Sequence, residues 1–167
     1  MKAVLISIHP KWCELIATGK KTVEVRKTKP KLETPFKVYI YHTQKKGFFS
    51  QHKNGARCDG KVIGEFVCDK IVEFSNEPYD PGFDETANLA CIDEMHLYKY
   101  LGSKRTGYGW HISDLVIYDN PKELGDFGTK HKCNLSKKCT EQGFLCAGYC
   151  KLTRPPQSWC YVEKMEE

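Results

Sequence analysis

The feature that most constrains the fold is a series of short segments with the residue pattern of β-strands. Residues 3–8 (AVLISI) form an apolar run rich in β-branched side chains, which predicts a buried strand. Residues 22–26 (TVEVR) and 36–43 (FKVYIYHT) alternate with the period of a strand. Residues 61–74 (KVIGEFVCDKIVEF) predict a fourth, long strand with a bulge or bend at Gly64. The chain therefore has to build at least one sheet.

Two helical segments interrupt these strands. Pro10 is predicted to open a helix that runs to about residue 18. Between Asp84 and Leu101 apolar side chains recur near helical spacing, which predicts a second helical segment. Strand character returns at residues 110–119 (WHISDLVIYD). Many strands with few helices favour a small curved sheet over a doubly wound parallel sheet, so we predict an α+β, barrel-like fold with peripheral helices.

Length, composition and charge narrow the class further. The chain has 167 residues, which predicts a single domain over residues 1–167. Hydrophobic residues make up 40% and aromatic residues 12%, which favours a globular protein over a disordered or fibrous one. The N-terminal apolar run is only a few residues long, so neither a signal peptide nor a membrane span is predicted, and we expect a cytoplasmic protein. The net charge of +5 is a mild excess that is compatible with a nucleic-acid partner.

Residues 19–26 (GKKTVEVR) combine a strand pattern with charged side chains. On an extended strand Glu24 and Arg26 share one face, which Thr22 joins, and the two intervening valines point into a core. Lys21, at the turn from helix to strand, can reach over the same face. A cation, a carboxylate and a guanidinium in one concavity can hold a phosphate or a base edge. The alternative is an ion pair on an exposed strand edge, which is worth only about 0 to 1 kcal/mol.

The spacing G-x-K-x-x-E-x-R, after a strand and a helix, resembles the signature of the ASCH domain, a branch of the PUA-like superfamily; its residues are Gly19, Lys21, Glu24 and Arg26. Flanking segments that also resemble this family cover most of the chain: VLISIHPKWCELIATG, VYIYHT, GKVIGEFVCDKI, HISDLVIYDNPKEL and PPQSWCYVE. The resemblance implies a small PUA-like β-barrel with a helix beside a cleft, RNA-related functions, and occurrence in bacterial and phage genomes. RNA or a modified nucleotide is then the expected ligand.

Some members of the family are similar to amidohydrolases that deacetylate N-acetylated cytidine with a Lys, a Thr and a Glu. The Lys matches Lys21, but the position of the Thr is Glu24 here. Glu24 cannot act as a hydroxyl nucleophile, although it can serve as a general base on a water beside Lys21. The two residues are therefore the candidate catalytic pair of a hydrolase, either an amidohydrolase or a ribonuclease. The third, acidic residue is Glu77, Glu85 or Glu94, and the sequence does not choose between them.

Other side chains are candidates for ligand binding alongside Thr22 and Arg26. Ser7 and His9 end the first strand beside the motif, where the resemblance places the border of the cleft; the alternative is a capping serine and an exposed histidine. The aromatic rings of Trp110 and Trp159 can stack on a base or pack in the core.

The basic segment 45–57 contains Phe48 and Phe49 between its charged side chains. Such a segment can contact a nucleic-acid backbone, and it can equally be a solvated loop.

A cysteine-rich insertion is predicted at about residues 131–150, near the C-terminus. Its spacings are C-x5-C and C-x3-C, separated by six residues, in Cys133, Cys139, Cys146 and Cys150. Four thiolates can hold a structural zinc ion, and His131 or Cys160 can substitute for one of them. The alternative is a set of reduced thiols in a variable insertion. Bound zinc would order a segment that has little core of its own.

Overall fold

The computed structural model describes residues 2–44, 57–77, 80–130 and 149–164. Within them the chain forms ten strands, three α-helices and a short 3-10 helix at Leu124–Asp126. The helices are α1 (Pro10–Ala17), α2 (Pro81–Leu89) and α3 (Glu94–Leu101). The strands are β1 (Ala3–Ile8), β2 (Val23–Arg26), β3 (Phe36–His42), β4 (Val62–Cys68), β5 (Ile71–Ser75), β6 (Thr106–His111), β7 (Ser113–Lys122), β8 (Phe127–Lys130), β9 (Tyr149–Lys151) and β10 (Trp159–Lys164). The predicted α+β class is confirmed.

The strands pair into two sheets. Seven strands form one sheet in the order β7-β4-β3-β1-β10-β8-β9, and three form a second in the order β2-β6-β5. In the large sheet β1 is parallel to β3 and antiparallel to β10. Across the described strands this pairing gives two separate sheets, and a closed barrel is not detected. The helices lie at the periphery, as expected.

Three sequence predictions need adjustment in detail. The predicted long strand 61–74 is two strands in different sheets, since β4 pairs with β3 and β7 whereas β5 pairs with β6. The predicted strand 110–119 is likewise divided between β6 and β7. The helical segment from Asp84 to Leu101 is also two elements, because Cys91 adopts a φ of 54° between α2 and α3.

Side-chain caps and a bulge explain these local boundaries. The carboxylates of Asp80 and Asp93 accept hydrogen bonds from backbone N–H groups in the first turns of α2 and α3. The pairing of β4 with β7 shifts register beside Gly64, which confirms the predicted irregularity. A Cβ at Gly64 would lie 2.4 Å from the carbonyl oxygen of Val116, so the two backbones approach too closely for a side chain.

Three apolar clusters hold these layers together. The largest lies between the two sheets and includes Ile6, Ile16, Phe66 and the fully buried Trp110. A second cluster covers the opposite face of the large sheet, and a third packs α2 and α3 on the outer face of β2-β6-β5. Polar side chains that β2 turns toward the large sheet therefore enter the space between two hydrophobic layers.

Within the part of the chain that the structure describes, no helix combines the length and apolar character needed to cross a membrane.

Candidate functional site

The site is built on strand β2, whose two faces have different surroundings. Cross-strand pairing with β6 places Glu24 opposite Trp110 and Arg26 opposite Tyr108. Residues paired in this way project to the same side of a sheet, so the charged side chains face the space between the sheets. Val25 belongs to the cluster under α2 and α3 on the other side. The alternation in the sequence thus separates a charged face from an apolar one.

Lys21, Glu24 and Arg26 form one charged group, which we call the charged triad. The Nζ of Lys21 lies 3.3 Å from Oε2 of Glu24, and the Nη2 of Arg26 lies 2.9 Å from Oε1 of the same carboxylate. Each oxygen of Glu24 is therefore engaged by a different cation. Lys21 also donates a hydrogen bond of 2.9 Å to the carbonyl of Ala90, and its Nζ lies 5.2 Å from the ring centroid of Trp12.

Arg26 connects the triad to the large sheet. Its Nη2 donates to the carbonyl oxygen of Ser7 at 2.7 Å, and its Nη1 donates to the hydroxyl of Ser158 at 3.5 Å. Its Nε is buried and has no hydrogen-bond partner among the described residues. The guanidinium thus spans the space between the two sheets, and its Nε–H is a donor without a partner among the described residues.

The triad is buried, which excludes the interpretation of β2 as a solvated edge. The exposed fractions of its side chains are 1% for Lys21, 8% for Glu24 and 10% for Arg26. The reason is tertiary: Ser7 on β1, Ser158 immediately before β10 and Trp12 on α1 contact a strand face that the local sequence presents as charged. Buried ion pairs differ from surface pairs because removing one partner leaves an uncompensated charge, at a cost of about 3 to 5 kcal/mol.

Three neighbours of the triad were not selected from the sequence. Trp12 lies over Lys21, and the thiol of Cys13 has its pKa raised well above the ordinary value by burial and by the charge of Glu24. Burial also raises the pKa of Tyr100. The nearby guanidinium of Arg26, through its charge and its hydrogen bond with Tyr100, acts in the opposite direction. The first two lie on α1, in the segment just before the motif, and could have been considered. No local pattern marks Tyr100, because α3 brings it to β2 from about 75 positions away.

Ser7, Thr22 and His9 differ in how they meet the triad. Ser7 contributes its carbonyl oxygen, since its hydroxyl donates instead to the carbonyl of Pro156 at 2.6 Å. Thr22 is half-buried and pairs through its backbone, donating to Leu89 and accepting from Ile112. The side chain of His9 is exposed and makes no capping hydrogen bond at the start of α1. Ser7 is thus the one of the three that directly contacts a triad side chain in the described hydrogen bonds.

The aromatic candidates are partly core residues. Trp110 is fully buried and packs edge-to-face on Phe36, so its ring is a packing element that a base cannot reach. Trp159 is half-buried, lies 5.9 Å from Trp110 between ring centroids, and donates its Nε1 hydrogen to the hydroxyl of Thr28. Its ring also packs edge-to-face on Tyr161 at 5.5 Å between centroids, so Trp159 mainly contacts neighbouring side chains.

The three acidic candidates for a third catalytic residue all have exposed side chains: Glu77, Glu85 and Glu94. Among the described ion pairs, Glu24 is the carboxylate that contacts Lys21 and Arg26. The structure therefore does not select any of the three for the site.

Most of the predicted zinc ligands lie outside the described residues, namely Cys133, Cys139, Cys146 and the substitute His131. Cys150 lies on β9 opposite Thr129, and burial raises the pKa of Cys160 to about 11. No cluster of three or more possible metal ligands occurs within the described ranges. The zinc site stays a prediction, as does a role for the basic segment, of which residues 45–56 also lie outside.

Two sheets with a charged group between them and helices at the periphery define a mixed α+β domain of the ASCH-like, PUA-like class. The family model of the ASCH domain matches residues 6–146, and the chain belongs to the ASCH domain family. No curated protein matches the chain significantly.

Solved structures support the same fold. The crystal structure of ASCH from Zymomonas mobilis is 19% identical, with a TM-score of 0.57, covering 97% of this chain and 88% of that one. A tyrosine-to-phenylalanine mutant of that protein is 17% identical with a TM-score of 0.59, covering 98% and 92%. A serine-to-alanine mutant is 16% identical with a TM-score of 0.59, covering 97% and 89%. At these identities the likeness concerns the fold.

Proposed function

We propose that this protein binds RNA or a modified nucleotide at the charged triad. ASCH domains have a PUA-like fold that is generally linked to RNA binding. The observation that carries the proposal is the buried arrangement of two cations around one carboxylate, with an Arg26 Nε that has no hydrogen-bond partner in the described part of the chain. The formal charge of the three side chains is positive, and buried positive charge favours an anion such as a phosphate.

The rim of the site supplies the remaining contacts. Tyr100 is 39% exposed and lies beside Arg26, so one face of its ring can receive a base. The hydroxyl of Ser158 is half-buried and accepts a long hydrogen bond of 3.5 Å from Arg26. A small rotation would let this hydroxyl donate to a phosphate oxygen instead. The ring of Tyr100, the hydroxyl of Ser158 and the guanidinium of Arg26 thus surround one position where a nucleotide can bind.

Glu24 fits a binding role better than a role as general base. Both of its oxygens are held by cations, which fixes the carboxylate and leaves lone pairs that can accept from an exocyclic amino group. Lys21 is similarly engaged by Ala90, Glu24 and the face of Trp12. The triad therefore resembles a rigid recognition group more than a pair of free catalytic groups.

The second candidate function is hydrolysis of acetylated cytidine or RNA in the same site. The observation in its favour is the 3.3 Å separation of the Lys21 ammonium and the Glu24 carboxylate in a buried environment. Such a pair can orient and deprotonate a water if ligand entry displaces the contact. The reaction would release acetate and cytidine, or two RNA fragments, and both product sets are separable by chromatography.

The experiment that tests the proposal is isothermal titration with cytidine 5′-monophosphate, its N4-acetylated form and a short RNA. Arg26→Lys keeps the charge but loses the planar fork, and we expect at least about a tenfold loss of affinity. Arg105→Lys is the control at an exposed arginine. Tyr100→Ala should also weaken binding, whereas Tyr98→Ala on the same helix should not. Folded wild-type protein that binds none of these ligands would overturn the proposal.

A further inference from the structure

We propose that a surface next to the charged triad holds the single-stranded RNA that flanks the bound nucleotide. This proposal rests on the function proposed above. The surface consists of three lysines at alternate positions of the segment after β2 and three tyrosines from other elements. We call it the lysine–tyrosine track, and its members are Lys27, Lys29, Lys31, Tyr100, Tyr108 and Tyr161.

Each lysine position meets a tyrosine from a different element. The Nζ of Lys27 lies 5.0 Å from the ring centroid of Tyr100 on α3. The Nζ of Lys29 lies 5.0 Å from the ring centroid of Tyr108 on β6. At Lys31 the backbone N–H donates a hydrogen bond of 2.6 Å to the hydroxyl of Tyr161 on β10. Five consecutive residues therefore cross three elements of the fold and pair with an aromatic side chain at every second position.

The track begins at the triad. Residue 27 follows Arg26 directly, Tyr100 lies beside the guanidinium, and Tyr108 is the cross-strand partner of Arg26 on β6. The middle of the segment is fixed by the hydrogen bond from Trp159 to Thr28. A chain bound to the triad through one nucleotide would therefore meet the track with its neighbouring nucleotides.

The chemistry of the track fits single-stranded RNA. All three lysines are exposed, and Tyr100 and Tyr161 are 39% and 37% exposed. Lysines that alternate with aromatic rings match a polymer whose phosphates alternate with unpaired bases, and stacking does not depend on the identity of the base. An acidic peptide would satisfy the lysines but would leave the rings without partners. The general link of ASCH domains with RNA favours RNA over single-stranded DNA.

One carboxylate lies within the track. Glu73 on β5 contacts the Nζ of Lys29 at 3.1 Å, and both side chains are about half exposed. Exposed pairs of this kind are weak, so an RNA phosphate can replace the carboxylate. Glu73→Gln should therefore strengthen oligonucleotide binding by freeing Lys29, which is an effect that loss of folding could not imitate.

The test compares uridine 5′-monophosphate with octauridylate by fluorescence anisotropy and competition. The wild-type protein should bind the octamer at least about tenfold more tightly than the mononucleotide. With three phosphate contacts, log K for the octamer should fall with log salt concentration with a slope near 2. The double variant that carries Lys29→Glu and Lys31→Glu should lose the gain in affinity that comes with oligonucleotide length. Its affinity for the mononucleotide should be unchanged. The matched control is Lys61→Glu with Lys151→Glu, since Lys61 pairs with Glu123 as Lys29 pairs with Glu73.

The outcomes separate the track from the triad. One outcome is that Lys29→Glu weakens octamer binding while the mononucleotide does not bind at all. The track then stands, and the function proposed for the triad fails. If the wild-type protein gains nothing with length, or both double variants lose the gain equally, the track is overturned. Tighter binding of octathymidylate than of octauridylate, or equal competition by octaglutamate, would overturn RNA as its occupant.

Discussion

The guanidinium of Arg26 contacts the carboxylate of Glu24 at 2.9 Å, two residues earlier on the same strand, and both side chains are about nine-tenths buried. Residues at this spacing share one face of a strand, so the contact is encoded locally. The burial of this contact is not encoded locally, because β1 and the start of β10 have to cover it. The same two residues therefore contribute to the stability of the fold and, in the function proposed above, to recognition of the ligand, so their substitutions should affect both.

The first prediction concerns Lys21. Lys21→Ala leaves Glu24 buried with one cation instead of two and removes the hydrogen bond to Ala90. Because Arg26 still compensates the charge of Glu24, the main loss is one ion-pair contact and a buried carbonyl left without its donor, and we expect the free energy of unfolding to fall by about 1 to 3 kcal/mol. Urea denaturation followed by circular dichroism measures this. Lys20→Ala is the control, since this neighbouring side chain is exposed and should change the free energy by less than about 0.5 kcal/mol. Equal effects of the two substitutions would contradict a buried role for Lys21.

The second prediction separates binding from catalysis at Glu24. Glu24→Gln keeps the shape and one acceptor oxygen but removes the charge and the base. A recognition role predicts a partial loss of nucleotide affinity, and any turnover should fall no more than binding does. A base role predicts a loss of turnover by about 100-fold or more with ligand binding retained. Titration and product analysis on the same preparations decide between them. Equal loss of binding and turnover would support recognition by Glu24 and give no support to base catalysis.

The third prediction concerns the pH dependence of stability. His42 is 3% exposed, and its Nδ1 lies 3.5 Å from Oδ1 of Asp59. Burial lowers the pKa of His42 below its ordinary value of 6.5, and the carboxylate of Asp59 opposes this without reversing it. The unfolded state then binds a proton more readily, so this contribution is complete above pH 6.5 and is lost as the pH falls through the lowered pKa.

Urea denaturation at a series of pH values below neutrality measures this effect. His42→Gln should flatten the decline, and the control His96→Gln, at an exposed histidine on α3, should not. A variant at position 42 whose stability falls with pH as steeply as that of the wild type would show that the decline has another source.

The fourth prediction is a structural zinc ion in residues 131–150. Protein purified without chelator should contain about one zinc per chain by elemental analysis, because four thiolates satisfy its tetrahedral preference. Cys139→Ser with Cys146→Ser should lose the metal, whereas Cys91→Ser in the turn between α2 and α3 should retain it. Absence of metal, together with thiols that all react freely with a titrant, would contradict the zinc site.

The sequence predicted much of the local structure because the information is local. The run at residues 3–8, the proline at the start of α1 and the alternation at residues 22–26 each identify one element, and the structure has all three. The segment 61–74 was mistaken for one strand because both halves have strand character. Only the pairing of β5 with β6 separates them.

The candidate site likewise depends partly on local sequence and partly on tertiary packing. The spacing of Lys21, Glu24 and Arg26 determines that their side chains can meet on one face, since the strand period is two and the lysine stem is long. Whether that face meets water is decided by β1, β10 and α1, which reach it through contacts distant in sequence. The approach of Tyr100 and Ser158 to Arg26 likewise depends on how α3 and the segment before β10 pack. Tertiary packing alone turned a charged strand into a buried site, because burial is a property of the assembled layers and not of any one segment.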